Sequence, residues 1–157
     1  MDENYDEIIS RAAERYSVPF EWLKAIIGTE SSFNPRAYRA EPSINDASYG
    51  LMQLLVRTAR SLGFDGTTEE LFDPEVNIML GAKLIGEELL PRCGATFEAV
   101  YSAYNSGSCG KYLSSSEVAR NVERALVWLG QVQDDLKKNS RGSKKHPRFP
   151  RGSLSLL

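Results

Sequence analysis

Apolar residues recur at three- and four-residue spacing through most of the chain, the period of an amphipathic helix. Tyr5, Ile8, Ile9, Ala12, Ala13 and Tyr16 share one face of a first helix. Val18-Pro19 interrupts it, and Pro19 suits the start of a second helix, where a missing N–H costs nothing. That helix should reach about Phe33, because Asn34 precedes Pro35 and a residue before proline is pushed out of the helical region. Residues 35–49, rich in Pro, Ser, Asn, Asp and Ala without a period, predict a loop. The helical period returns with Leu51, Leu54, Leu55, Thr58, Ala59 and Leu62 up to Gly63, and again from Pro74 with Ile78, Ala82, Ile85 and Leu89 until Pro91. Phe97, Val100, Tyr101 and Tyr104 mark a shorter fifth helix ending near Asn105-Ser106-Gly107. Val118, Val122, Ala125, Leu129, Val132 and Leu136 form the stripe of a long last one. No strict alternation and no repeat of fixed period competes, so the expectation is an all-α single domain of about six helices.

After Leu136 the apolar face disappears and breakers accumulate. This divides the chain into a domain over residues 1–136 and a basic tail over 137–157, disordered by composition. Charge follows the same boundary. All 21 acidic residues precede position 137, against 12 of the 19 Lys and Arg, so the domain carries −9 and the tail +7. An acidic body argues against nucleic acid as partner, since phosphate binding needs clustered cations on the folded surface. The tail suits either a plain linker or electrostatic contact with an anionic wall polymer or membrane.

The two cysteines, Cys93 and Cys109, are too few for a disulfide-built scaffold or a four-cysteine zinc site. A bridge between them is open, and two free thiols is the expectation for a chain with no export signal. The N-terminus, Met-Asp-Glu-Asn-Tyr-Asp-Glu, is acidic where a secretory leader would be basic and then apolar. No segment approaches the ~18 apolar residues of a membrane span. No metal site is expected, the lone histidine being His146 in the tail.

The second helix holds the candidate chemistry. Its stripe is Leu23, Ile26 and Ile27, and the next position on that face is Glu30. Burial beside apolar side chains disfavours the charged form, raises a carboxyl pKa and leaves a proton to donate near neutral pH, as a general acid requires. Taken alone, a helical glutamate more often caps a helix end or pairs with a cation, here Arg36 or Arg39.

Its neighbours change that balance. Glu30-Ser31-Ser32-Phe33-Asn34-Pro35, then Tyr49-Gly50-Leu51-Met52-Gln53-Leu54, then Asp73-Pro74-Glu75-Val76-Asn77-Ile78 with Gly81, then Ala103-Tyr104-Asn105-Ser106-Gly107 resemble, in order, the signatures of the soluble lytic transglycosylases. That family shares a lysozyme-like fold with goose-type lysozymes, and the resemblance covers roughly residues 5 to 130. It implies a single lysozyme-like domain with a groove for a peptidoglycan glycan strand, cleaved at the MurNAc-GlcNAc β-1,4 bond to leave a 1,6-anhydromuramic end. Glu30 would be the only acid/base and no cofactor would be needed. Ser31, Met52, Gln53, Tyr104 and Asn105 are the implied substrate contacts, with Gln53 able to donate to and accept from an N-acetyl group. Asp73, Pro74, Asn77 and Gly81 read as helix start and close packing. One departure stands out. The run Glu117-Val118-Ala119-Arg120-Asn121-Val122 puts Asn121 where the family carries a tyrosine directed at the acid, so Tyr104 or another tyrosine takes that role or Glu30 is tuned differently.

A hydrolase would generally require a second carboxylate, for which Asp46 is the candidate against its reading as a turn residue. A goose-type muramidase using Glu30 with Asp46 is therefore one alternative. A wall-binding or virion structural protein that keeps the fold without catalysis is another. Action on the wall without an export signal implies delivery by lysis, a virion or a secretion apparatus.

Overall fold

The structure, a computed structural model, describes residues 3–145. α1 (Glu3–Tyr16) and α2 (Phe20–Ser31) form where the period places them, and α2 buries Leu23, Ala25, Ile26, Ile27 and Gly28. α2 stops slightly earlier than expected. Ser32 and Phe33 both take left-handed backbone, at φ 51° and 66°, and the Ser32 N–H returns to the Gly28 carbonyl. This turns the Phe33 ring inward, edge-on to Trp128. The same tryptophan explains Gly28, since a Cβ there would lie 2.5 Å from its ring.

The segment expected to be loop is instead a small antiparallel sheet in the order β1 (Tyr38–Glu41), β2 (Asp46–Tyr49), β3 (Leu54–Leu55). Tyr38 faces Tyr49, Glu41 faces Asp46, and Tyr49 faces Leu54. Strands of four and two residues are too short to display alternation, and β1 is exposed over most of its length. The expected third helix is correspondingly shorter, α3 (Val56–Ser61).

From Pro74 a single helical rod runs as α4 (Pro74–Leu84), a π-helical turn (Ile85–Leu89) and α5 (Leu90–Cys93). Asp73 caps its start by accepting from the Glu75 and Val76 N–H groups. Pro91 does not end the rod. The π turn falls just before it, where the ring and the missing N–H disturb the regular ladder. α6 (Phe97–Ser106) and α7 (Ser116–Lys145) complete six helical rods among the described residues, so the expected all-α domain is present with the sheet as an addition. α7 also corrects the boundary at Leu136, because it continues to Lys145. Lys and Arg are good helix formers, and cations are favourable at a helix C-terminus. Residues 146–157, with His146, lie outside the described residues.

The expectation of free thiols is overturned as well. Cys93, at the end of α5, is bridged to Cys109, just beyond α6, with their Cα atoms 5.4 Å apart. The fold brings the two cysteines together although the whole of α6 lies between them, a proximity that spacing alone leaves ambiguous. Closing a loop of this length is worth about 3 kcal/mol by restricting the unfolded chain.

A fully buried polar side chain ties two of these elements together. Asn77 has no exposed surface, accepts from the Met52 N–H at 2.7 Å, and donates to the Tyr49 and Leu71 carbonyls at 2.8 Å each. It joins α4 to the turn between β2 and β3. Gly50 in that turn has φ +78°, and a Cβ would meet the Asn77 amide. Asn77→Ala would strand three buried backbone groups, and chemical denaturation should show a loss of more than about 3 kcal/mol.

Candidate active site

α2, α6, α7 and the sheet enclose an open groove of about 410 Å³. Glu30, Gln53, Tyr104, Asn105 and Ser106 line its floor; Arg39, Glu41, Ile44, Ser48 and Leu55 stand on the sheet side and Glu117, Val118 and Asn121 on the α7 side. Glu30 sits in the last turn of α2, next to carbonyls with no helical partner, so both burial and the negative end of the helix dipole oppose its charge. Burial raises its pKa to about 7, against the opposing pull of a hydrogen bond from Tyr101 and the charges of Arg124 and Arg39.

The hydroxyl of Tyr101 donates to Glu30 Oε2 at 2.5 Å. No cation lies within ion-pair distance of Glu30 among the described residues. Arg36 is paired with Glu69 and stacked over Phe72, while Arg39 Nε is 3.5 Å from Glu41. The reading of Glu30 as half of an ion pair is thereby removed. Tyr101 is itself a residue the sequence signatures pass over. A signal existed: a tyrosine on a core stripe needs a partner for its hydroxyl, and Glu30 is the carboxylate interrupting another such stripe.

The implied substrate contacts separate into two groups. Gln53, Tyr104 and Asn105 line the groove with Glu30; Ser31 and Met52 do not. Met52 is entirely buried, its sulfur packed at Gly81, and it serves the site through its backbone, whose carbonyl accepts from the Tyr104 hydroxyl at 2.5 Å. Ser31 is turned back onto the Ile27 carbonyl at 3.1 Å, a bond that satisfies the end of α2. Tyr104 therefore anchors a turn, and the phenol on the acid comes from one helical turn earlier. Gln53 has left-handed backbone, φ 52°, and its amide nitrogen donates to the Ala37 and Gly50 carbonyls, both at 3.1 Å. With both hydrogens used, its side chain offers a substrate only an acceptor, not the donor and acceptor expected. Asn105 accepts from Asn121 Nδ2 at 3.1 Å, and Asn121 accepts from Arg124 at 2.7 Å.

Asp46 is corrected too. It is absent from the groove lining, and its oxygens accept from the N–H groups of Ala47, Val56 and Arg57 at 2.7, 3.1 and 3.1 Å. Burial pushes its pKa up, yet these donors and the Arg57 charge outweigh that and hold it low. It caps α3 from the neighbouring strand.

A profile of the transglycosylase SLT domain matches residues 7–124. The chain belongs to the transglycosylase SLT domain family. Membrane-bound lytic murein transglycosylase C of Edwardsiella ictaluri is 36% identical over 117 residues, which are 66% of this chain and 31% of that protein. Protein IpgF of Shigella flexneri is 35% identical over 103 residues, 64% of this chain and 66% of that one. Peptidoglycan transglycosylase gp16 of Escherichia phage T7 is 30% identical over 139 residues, 79% of this chain and 10% of that one. The chain thus spans about a third of the first relative and a tenth of the phage protein. The fold matches that of the 70 kDa soluble lytic transglycosylase of Escherichia coli, with a TM-score of 0.72 at 21% identity over 84% of this chain and 24% of that one.

The Glu30 carboxyl makes a prediction about stability. A folded-state pKa raised from 4.5 to about 7 gives a contribution present below the unfolded value and lost as pH rises through the folded one. Glu30→Gln, which keeps an acceptor for Tyr101, should therefore match the parent in thermal denaturation near pH 4 and exceed it near pH 8, by at most about 3 kcal/mol.

Proposed function

We propose that this SLT domain is a peptidoglycan lytic transglycosylase, acting at the cell wall with Glu30 as its one acid/base. The observation that carries the reading is a carboxyl on the groove floor with a pKa near 7 and a neutral phenol as its hydrogen-bond partner. Such a group is protonated in a substantial fraction of molecules at neutral pH and also ionises readily, so it can act twice in one turnover. In the first half it donates its proton to the glycosidic oxygen, and the bond from that oxygen to the muramic anomeric carbon breaks. In the second half the ionised carboxylate removes the proton of the muramic 6-hydroxyl as that oxygen bonds to the same carbon. A 1,6-anhydro ring closes, Glu30 regains its proton, and no water is consumed.

The hydrolytic alternative no longer rests on Asp46, whose oxygens are taken by backbone N–H groups. It moves to Glu41, a groove carboxylate with Arg39 and Ser48 as neighbours at 3.5 and 3.4 Å. Product analysis separates the two. Mass spectrometry of digested peptidoglycan should show anhydro ends, one water lighter than reducing ends, from both the parent and Glu41→Gln. Glu30→Gln should lower their release by roughly a hundredfold or more. Reducing ends from the parent that disappear in Glu41→Gln would establish a hydrolase, and undiminished wall clearing by Glu30→Gln would remove catalysis from this site.

The partner of the basic extension is read as anionic wall polymer or membrane. Lys137, Lys138 and Arg141 are exposed on the last turns of α7. Changing all three to Gln in the full chain should weaken sedimentation with cell walls at low salt and make no difference at high salt, where exposed charges are screened.

A further inference from the structure

Tyr101 is the hydrogen-bond partner of Glu30, and its position is fixed from every side. The ring is buried, with 1% of its surface exposed, and lies in a stacked ladder along α6 between Phe97 and Tyr104, with centroids 6.1 and 6.2 Å away. Trp22 meets Phe97 edge-on at 5.5 Å, and Tyr104 is pinned through its hydroxyl to the Met52 carbonyl. A ring held in this way offers its hydroxyl at one place, which is Glu30 Oε2. Arg124 and Arg39 act on the acid through their charge and donate no hydrogen bond to it. Glu30 Oε1 has no hydrogen-bond partner among the described residues, in a side chain that lines the groove.

We propose that Tyr101 is the positioning residue of this acid: by occupying Oε2 it makes Oε1 the oxygen that carries the transferred proton. The phenol is a donor in both halves of the cycle, since burial and the neighbouring carboxylate push its own pKa up and keep it protonated. It does not exchange a proton with substrate. It orients the neutral carboxyl so that its O–H points into the groove, and it stabilises the carboxylate that remains after donation. The second effect limits how far burial can raise the acid's pKa, leaving it able to act as a base.

This assignment rests on Glu30 being the acid/base, and it is tested by a readout that needs no turnover. The carboxyl carbon NMR signal of Glu30, assigned by its loss in Glu30→Gln, is titrated in the parent, in Tyr101→Phe, and in protein carrying ortho-fluorotyrosine at position 101. Removing the donor should raise the Glu30 midpoint by about one to two pH units. The fluorinated phenol nearly preserves the ring's shape and is the stronger donor, so it should move the midpoint down. On peptidoglycan, Tyr101→Phe should lower kcat roughly ten- to a hundredfold with KM little changed, and shift the alkaline limb of the pH profile upward. Midpoints unmoved by both replacements would overturn the proposal, as would a fluorinated protein that shifts in the same direction as Tyr101→Phe. Opposite shifts in a protein that releases no muropeptide would uphold the role of Tyr101 and overturn the enzymatic reading instead.

Discussion

The turn from Tyr49 to Gln53 has to hold a left-handed glycine, a left-handed glutamine and a buried methionine within five residues, and it makes too few hydrogen bonds of its own to do so. The missing bonds come from other elements. From α4, Asn77 takes the Met52 N–H and the Tyr49 carbonyl; from α6, the Tyr104 hydroxyl takes the Met52 carbonyl. The turn is thus held between two helices by side chains whose other atoms are also satisfied. A buried amide with all its bonds made imposes one arrangement, because any slippage exposes a donor or acceptor that water cannot reach. The groove floor inherits its shape from this constraint: Gln53 can face the groove because its neighbours are fixed on both sides.

Glu30 follows a different logic. α2 is apolar along the face that meets the core, and Glu30 continues that face at the end where helix carbonyls gather. Both features destabilise a charge there. In a site whose only task was stability, the position would belong to a leucine. The surroundings respond with one neutral donor and two cations that make no contact, an arrangement that holds the pKa near neutrality. A direct ion pair with Arg39 or Arg124 would have returned the carboxyl to its ordinary range and left it ionised at neutral pH.

How far this was legible from the sequence depends on the range over which each signal acts. The helices were readable because their stripes repeat over ten or more residues, and Glu30 stood out because it interrupts one. The sheet was hidden, since its strands are two and four residues long and it is built from the residues that also make loops. The bridge between Cys93 and Cys109 was undecided because spacing does not say whether a helix between two cysteines returns to its start. Met52, Ser31 and Asp46 fall together. Each carries groups suited to substrate, and in each case the three-dimensional arrangement had already committed those groups to packing or to a backbone donor or acceptor. Motif order drew attention to residues around one groove, but it could not say which atoms were still free.

The two tyrosines of α6 show that limit most sharply. Tyr101 and Tyr104 lie on the same stripe one turn apart, and their stacked rings are separated by 6.2 Å. Sequence gives them the same chemistry, and the better-marked of the two, beside Asn105, was the natural choice as the partner of the acid. Their hydroxyls nevertheless diverge, one to a carboxylate and the other to a main-chain carbonyl. They lie three residues apart on one helix, so a single orientation of α6, packed through Phe97 edge-on to Trp22, places both hydroxyls at once. Turning the helix by a fraction of a residue would move both hydroxyls off their partners together. The environment of Glu30 and the geometry of the groove floor are therefore coupled through one short helix, which carries the phenol on the carboxyl and the phenol on the turn.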